Sequence, residues 1–455
     1  MGKLFLNKFQ VPSSKFQKNS LISRHLKIGI WILVFIWNLV LGTWSFAREL
    51  PPILQVLERE PSNLEDIEEL VDFRWYDVAW EALKQYPKEE KVLFLKAKTL
   101  AGLKKYDEAL QLFDSLIRDV QNPEIRRDCI LRKAYILTRL KRYNEATQIY
   151  ENLIKNIPVA KMQRKLSARA FKVALEARNY QKALQLLKGM GPAETSWWRG
   201  WCLFRLGRSQ EALKQWSLFT PKRHKEFYTQ ALFWKSFILE ELGKTTQAKP
   251  LLQELVTKYP LSFYGILALH KLYPDGKKKS PEIPKPNGLE QKFPLEFQGE
   301  IKREAKVRGL EPYLVFALVW QESRFRDWVI SPVGAIGLMQ LMPQTALQLA
   351  KASKIKHFHL ADILEPSTNI KLGSFYLKFL KQLFSNQIPY VLAAYNAGEE
   401  AVSRWLSSRE DESVEIFIEE IPFDETQKYV KKVLAAYWLY HLVYNGKLPE
   451  TLFHE

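Results

Sequence analysis

Cysteine is nearly absent from this chain: Cys129 and Cys202 are the only two among 455 residues. Each lies in an apolar run of helical spacing, and their repeat units are not adjacent. Two buried thiols are therefore expected rather than a disulfide, and cysteine usage does not fix the redox compartment. Strand patterning is close to absent as well, which excludes a sheet-based fold. No cluster of metal-ligand spacing occurs; His357 and His359, in "HFH", read as loop residues, so neither a metal nor a cofactor is expected. The formal charge of +18 comes without a nucleic-acid recognition motif, and nucleic acid is not an expected partner.

Acidic residues are missing from positions 1–47, which carry Lys3, Lys8, Lys15, Lys18, Arg24 and Lys27. "IGIWILVFIWNLVLGTWSFA", residues 28–47, then runs without a charge. At ~1.5 Å per residue such a run spans a hydrocarbon core of ~30 Å. Basic residues before it place the N-terminus in the cytoplasm and everything after residue 48 outside it. Residues 1–47 thus read as a cytoplasmic N-terminus with a membrane anchor, or as a signal segment cleaved after "SFA". Either reading exports the rest of the chain from the cytoplasm.

From residue 48 onward the chain is rich in helix patterning, and aromatics make up 13% of the whole sequence. "AGLKKYDEALQLFDSLI", "TRLKRYNEATQIYENLI" and "LEARNYQKALQLLKGM" repeat one pattern, continued by "FRLGRSQEALKQWSLF" and "EELGKTTQAKPLLQEL". A small residue recurs at Ala109, Ala146, Ala183, Ala212 and Ala248, close to the tetratricopeptide period of ~34 residues. Alanine lets paired helices approach, with Tyr106, Tyr143 and Tyr180 packing between them. The fold class is therefore all-α, with a tetratricopeptide-like helical solenoid over residues 48–273. A Pro-rich linker, expected to be extended, covers 274–294, and a mostly α-helical domain covers 295–455. The last region holds 18 Lys+Arg and 20 Asp+Glu, so the positive charge lies upstream of it. A basic solenoid suits an anionic polymer or a membrane surface. It either presents a face to a protein partner or supports the next domain.

Within 295–455 the stretch "QESRFRDWVISPVGAIGLMQLMPQTA" places one acid, Glu322, at the end of an apolar helix predicted over Pro312–Ser323. Leu314, Val315, Leu318 and Val319 form its inward face, and Glu322 continues that stripe. Burial and the C-terminal helix dipole both push such a carboxyl's pKa upward. A carboxyl that stays protonated near neutral pH can act as a general acid. On these residues alone, an ion pair with Arg324 or Arg326 at the helix end is the commoner explanation of Glu322. The glycines beyond it permit sharp bends and close approach of a ligand.

"QES", "SPVGAIGLMQLMPQTA", "NIKLGSFYL" from Asn369, "LAAYNAG" from Leu392 and "IPFDETQKYV" from Ile421 occur in that order. Together they resemble lytic transglycosylases of the soluble-lytic-transglycosylase type, over about residues 297–445. The upstream solenoid is similar to the helical superhelix of the family's larger members. The resemblance implies a lysozyme-like domain that cleaves the β-1,4 bond from N-acetylmuramic acid to N-acetylglucosamine in peptidoglycan glycan strands. It also implies a 1,6-anhydromuramyl end, formed without water. Ordinary glycosidases need two carboxylates; here the sugar's own C6 hydroxyl attacks C1, and one carboxyl acts twice. By the same resemblance Glu322 is that acid and base, and Ser331, Gln340 and Met342 contact substrate sugars. Tyr395, with Asn396 beside it, orients the acid, and Glu425 supports that tyrosine. The chain departs from the family pattern at Glu399–Glu400, where Pro-Gly is usual, and at Gln427, where Arg is usual. A third departure is "RDW" at Arg326–Trp328, in place of Asn-Pro. A lysozyme-like hydrolase and a glycan-holding envelope scaffold are the alternatives.

Overall fold

A computed structural model describes residues 61–187, 191–273, 288–407 and 412–454. Every regular element among them is a helix; beyond these there are only isolated bridges at Ile330–Ile336, Ile336–Leu341 and Gln387–His454. The expected all-α architecture is the observed one. The apolar run at 28–47 and most of the Pro-rich stretch lie outside the described residues. At its end, Leu289–Lys292 forms a short helix rather than extended chain, because Leu289 buries its side chain. Among the described residues no helix is long and apolar enough to cross a membrane.

The solenoid runs from Leu64–Asp72 to Phe263–Leu272, each helix packing on its neighbours in chain order. Its alanines do what their recurrence suggests: Ala109, Ala146, Ala183, Ala212 and Ala248 are all fully buried. Ala79 is buried in the same way on Tyr76–Leu83, which extends the pattern one turn upstream of the repeats visible in the sequence. Successive turns put one residue in the left-handed region: Arg74, Lys104, Lys141, Arg178, Gly207 and Gly243, all with φ between 57° and 75°. Around Lys104, the Lys105 N–H donates to Leu100 O at 2.9 Å, closing the preceding helix with a Schellman-type bond. Cys129 and Cys202 are free and buried, and burial pushes their thiols up to about 11 and about 12.

Residues 61–455 form one unit in which the solenoid and the C-terminal helices pack together. The turn residues explain part of that packing. Lys104 pairs with Glu400, Lys141 donates to the Ser407 hydroxyl at 2.7 Å, and Arg178 pairs with Glu412. A left-handed non-glycine residue costs roughly 1 kcal/mol. Three of these turns carry a cation that reaches the C-terminal region, while the later two carry Gly207 and Gly243, which have no side chain to extend. Lys172 with Asp424 and Arg404 with Glu176, at 2.9 Å, add further crossings.

The centre of this contact is a helix the sequence pattern did not suggest, Val414–Glu419, and the residue after it. Glu419 and Glu420 are 1% and 0% exposed. Glu420 accepts from the Tyr180 hydroxyl at 2.8 Å and the Trp201 indole at 3.0 Å, and pairs with Arg205 at 3.1 Å. Glu419 accepts from Trp234 at 3.0 Å, Gln230 at 2.7 Å and Tyr264 at 2.5 Å. Two adjacent carboxylates are thus satisfied by solenoid donors, as buried charges must be. Of the solenoid's cations, Lys104, Lys141, Lys172, Arg178 and Arg205 reach the C-terminal region.

Candidate active site

Glu322 ends the helix Pro312–Glu322. Pro312 occupies the first turn, where its missing N–H costs nothing, and the Glu311 carboxylate accepts from Leu314 N at 2.9 Å. Leu314, Val315, Phe316, Ala317, Leu318 and Val319 are all fully buried. The helix is therefore a core helix enclosed on every side, rather than one with a single inward face. Its last residue carries the acid to the edge of that core. Burial raises the Glu322 pKa to about 7; the Tyr429 hydrogen bond opposes the shift and the Glu425 charge adds to it. The Tyr429 hydroxyl donates to Glu322 Oε1 at 2.6 Å. The neighbouring arginines are engaged elsewhere. Arg324 lies over the Trp320 ring at 4.0 Å, and Arg326 Nε donates to Ser323 O at 3.1 Å.

The glycine-containing loop is held by short-range bonds that leave little freedom. Ser331 Oγ accepts from Ala335 N at 2.9 Å, and Gln340 Nε2 donates to Val329 O at 2.9 Å and Gly337 O at 2.8 Å. Asn369, 1% exposed on the helix Pro366–Leu383, pins the loop from below. It accepts from Met339 N at 2.8 Å and donates to Ile336 O at 3.0 Å and Ile363 O at 2.9 Å. Gly337 has a φ of 79°, and a Cβ there would meet Asn369 Nδ2 at 2.3 Å. Only glycine meets both conditions. Gly373 admits the Met339 side chain in the same way, its added Cβ falling 2.3 Å from the sulfur.

Tyr395, on Ile388–Ala397, joins the loop to the acid's surroundings. Its hydroxyl donates to Met339 O at 2.8 Å. Burial pushes its phenol far up, and the Glu322 charge pushes it further, so the two groups are electrostatic neighbours. The hydroxyl that donates to Glu322 is that of Tyr429, while Tyr395, expected to orient the acid, donates its proton to the Met339 carbonyl. Asn396 Oδ1 accepts from the Thr426 hydroxyl at 2.6 Å, tying "AYN" to "DET". Glu425 is exposed in the first turn of Asp424–Asn445, four residues before Tyr429 and so on the same face. Its charge acts on Glu322. Met342 caps the helix Pro343–Ala352 at its N-terminus.

The sequence departures acquire local partners. Glu399 accepts from the Tyr376 hydroxyl at 3.0 Å, and the Tyr376 ring lies 5.4 Å from that of Tyr395. Glu400 pairs with Lys104 of the solenoid, and Gln427 Nε2 donates to Glu419 O. Trp328 stands 54% exposed beside the loop, with the Arg326 guanidinium 5.9 Å from its ring centre. Sequence reasoning missed Tyr429 and Asn369 as supports. Both sit inside quoted motifs, and an asparagine at an inward helical position was the available signal for the second.

Residues 300–418, which include Glu322 and the glycine-containing loop, match a described family, "Transglycosylase SLT domain". That region resembles an SLT domain. Residues 230–262 match a tetratricopeptide repeat, in the last part of the solenoid. The soluble lytic murein transglycosylase of Escherichia coli (strain K12) is 39% identical over 166 residues, 36% of this chain and 26% of that protein. The membrane-bound lytic murein transglycosylase C of Cronobacter sakazakii is 27% identical over 176 residues, 34% of this chain and 49% of that protein. The match thus spans about a quarter of the first relative's length. A lytic transglycosylase Slt from Pseudomonas aeruginosa, solved as an inactive mutant, shares the fold with a TM-score of 0.55 at 20% identity, covering 95% of this chain and 78% of that one. Tyr429, which holds the acid, lies beyond the span matched to the SLT domain.

Proposed function

We propose that this chain is a murein lytic transglycosylase of the periplasm, held at the membrane or exported by residues 1–47. It cleaves the β-1,4 bond between N-acetylmuramic acid and N-acetylglucosamine and leaves a 1,6-anhydromuramyl end. The observation that carries this reading is a carboxyl poised near pH 7 at the end of a core helix, with one phenol bonded to it. A glycosidic oxygen must be protonated as its bond to C1 breaks, and an acid with a pKa near ambient pH is suited to that step. The same carboxylate then takes the proton from the C6 hydroxyl as that oxygen bonds to C1. No water is consumed. Residues 295–455 carry the chemistry, with Ser331, Gln340 and Met342 along the glycan groove, and residues 48–273 support them. Tyr395 and the exposed Glu425 face the sugar whose C1 develops positive charge.

Glu425 also favours a second reading. A second carboxylate near the acid is what a hydrolase requires, and water activated there would give a reducing end. Mass spectrometry of muropeptides released from purified sacculi by the full chain decides between them. Products lighter by one water support transglycosylation; reducing muramic acid ends would establish hydrolysis. No release at all would favour a scaffold that binds glycan without cutting.

A further inference from the structure

Tyr429 and Lys431 are two residues apart on the helix Asp424–Asn445, so at ~100° per residue they project from opposite faces. One face bears the Tyr429 hydroxyl on Glu322 at 2.6 Å. On the other, Lys431 Nζ donates to Glu419 Oε2 and to the Tyr264 hydroxyl, each at 2.8 Å. Tyr264 belongs to the last solenoid helix, Phe263–Leu272, and its neighbour Phe263 stacks on Trp438 of the same C-terminal helix at 5.4 Å. Glu419 is held in turn by Trp234 and Gln230, and its carbonyl accepts from Gln427 at the start of the C-terminal helix.

We propose that the solenoid sets the rotation of this helix through Glu419 and Lys431, and thereby holds Tyr429 on the catalytic carboxyl. Glu419 and Lys431 are positioning residues for an acid they do not touch. The proposal rests on the function proposed above.

Such a pair adds little to stability. Buried ion pairs are commonly matched or bettered by apolar residues of similar volume, while their directional bonds fix geometry. The lever is favourable. A tyrosine hydroxyl stands about 9 Å from its helix axis, so a rotation of ~10° swings it by ~1.5 Å, enough to break a hydrogen bond. The groups facing Glu322 are Tyr429 and Glu425 from this helix and Tyr395 from Ile388–Ala397. Of these, Tyr429 is the one that favours the ionised form. Its withdrawal favours the protonated acid and moves the alkaline limb of the rate profile upward.

The test compares the full chain with Tyr264→Phe, the charge-neutral double variant Glu419→Gln/Lys431→Met, and Tyr429→Phe as reference. For each, kcat and kcat/KM on sacculi are followed across pH, and Tm is recorded. Tyr264→Phe removes a single hydroxyl, so it keeps the test open if the double variant unfolds. The expected result is a fall in kcat and an alkaline limb raised by about 0.5 pH unit or more in the direction of Tyr429→Phe, with Tm little changed for Tyr264→Phe. Folded variants whose limb stays at the wild-type position while Tyr429→Phe moves it would overturn the inference alone. A limb that does not move even in Tyr429→Phe would also overturn it. Wild-type protein that releases no glycan would instead overturn the proposed function, and the inference with it.

Discussion

Replacing Glu322 by Gln separates chemistry from stability in a way that can be calculated. The carboxyl's pKa rises from 4.5 in the unfolded chain to about 7 in the folded one. The folded state therefore binds the proton more tightly, an advantage fully present below pH 4.5 and lost as pH climbs through 7. Each pKa unit is worth about 1.4 kcal/mol, so ionising Glu322 costs the fold on the order of 3 kcal/mol above pH 7 and less than about 1 kcal/mol at pH 5. Glutamine keeps the shape, still accepts the Tyr429 hydrogen bond and never ionises. Relative to wild type, Glu322→Gln should gain about 2.5 kcal/mol between pH 5 and pH 8.5. If the ~400 residues of the described unit unfold together, that is roughly 3 °C in Tm. The assay is thermal or urea unfolding of both proteins at the two pH values, read as a difference of differences, beside glycan release by the same samples. Release should be abolished. A Gln variant whose relative stability does not change with pH would refute the burial argument, and one that still cleaves glycan would refute the assignment of the acid.

Other outcomes concern the supports. Asn369→Leu strands Met339 N–H and the carbonyl of Ile363 in the core, and leaves Ile336 O with the Leu341 N–H as its remaining donor. It should cost about 2–4 kcal/mol in urea unfolding and lower cleavage more than Tm alone explains. Gly337→Ala meets both a clash and a left-handed backbone; activity should fall sharply, and an unaltered enzyme would show that the loop gives way easily. Lys104→Gly relieves a left-handed residue while removing an exposed pair with Glu400. The first effect is worth roughly 1 kcal/mol and the second less, so the variant should be as stable as wild type or slightly more so. Sacculus binding by the full chain should weaken as salt rises, since the solenoid carries the excess positive charge.

Periodic features were the legible ones. The alanines from Ala109 to Ala248 and the apolar run ending at Glu322 declared themselves because a repeating core leaves a repeating pattern. The helix expected over Pro312–Ser323 is observed as Pro312–Glu322. Val414–Glu419 did not show, because "REDESVEIFIEE" reads as a charged surface. Whether two glutamates face water or a row of indoles and phenols depends on residues some 150 to 240 positions away. Tyr429 was hidden for a related reason: on a helix rich in buried aromatics, one phenol that reaches a carboxylate looks like packing.

Repeat arrays ordinarily lengthen and shorten with ease, since each unit contacts only its neighbours. Glu419 and Glu420 remove that liberty from part of this one. Side by side on one backbone, they are received by Tyr180, Trp201 and Arg205 in one case and by Gln230, Trp234 and Tyr264 in the other. The two sockets must keep a fixed separation, like the wards of a lock cut for a single key. Between Tyr180 and Tyr264 the array therefore cannot gain or lose a unit without unseating one glutamate. The described units upstream of Lys104 supply none of these six side chains. Growth or loss of repeats across relatives should be confined to that end.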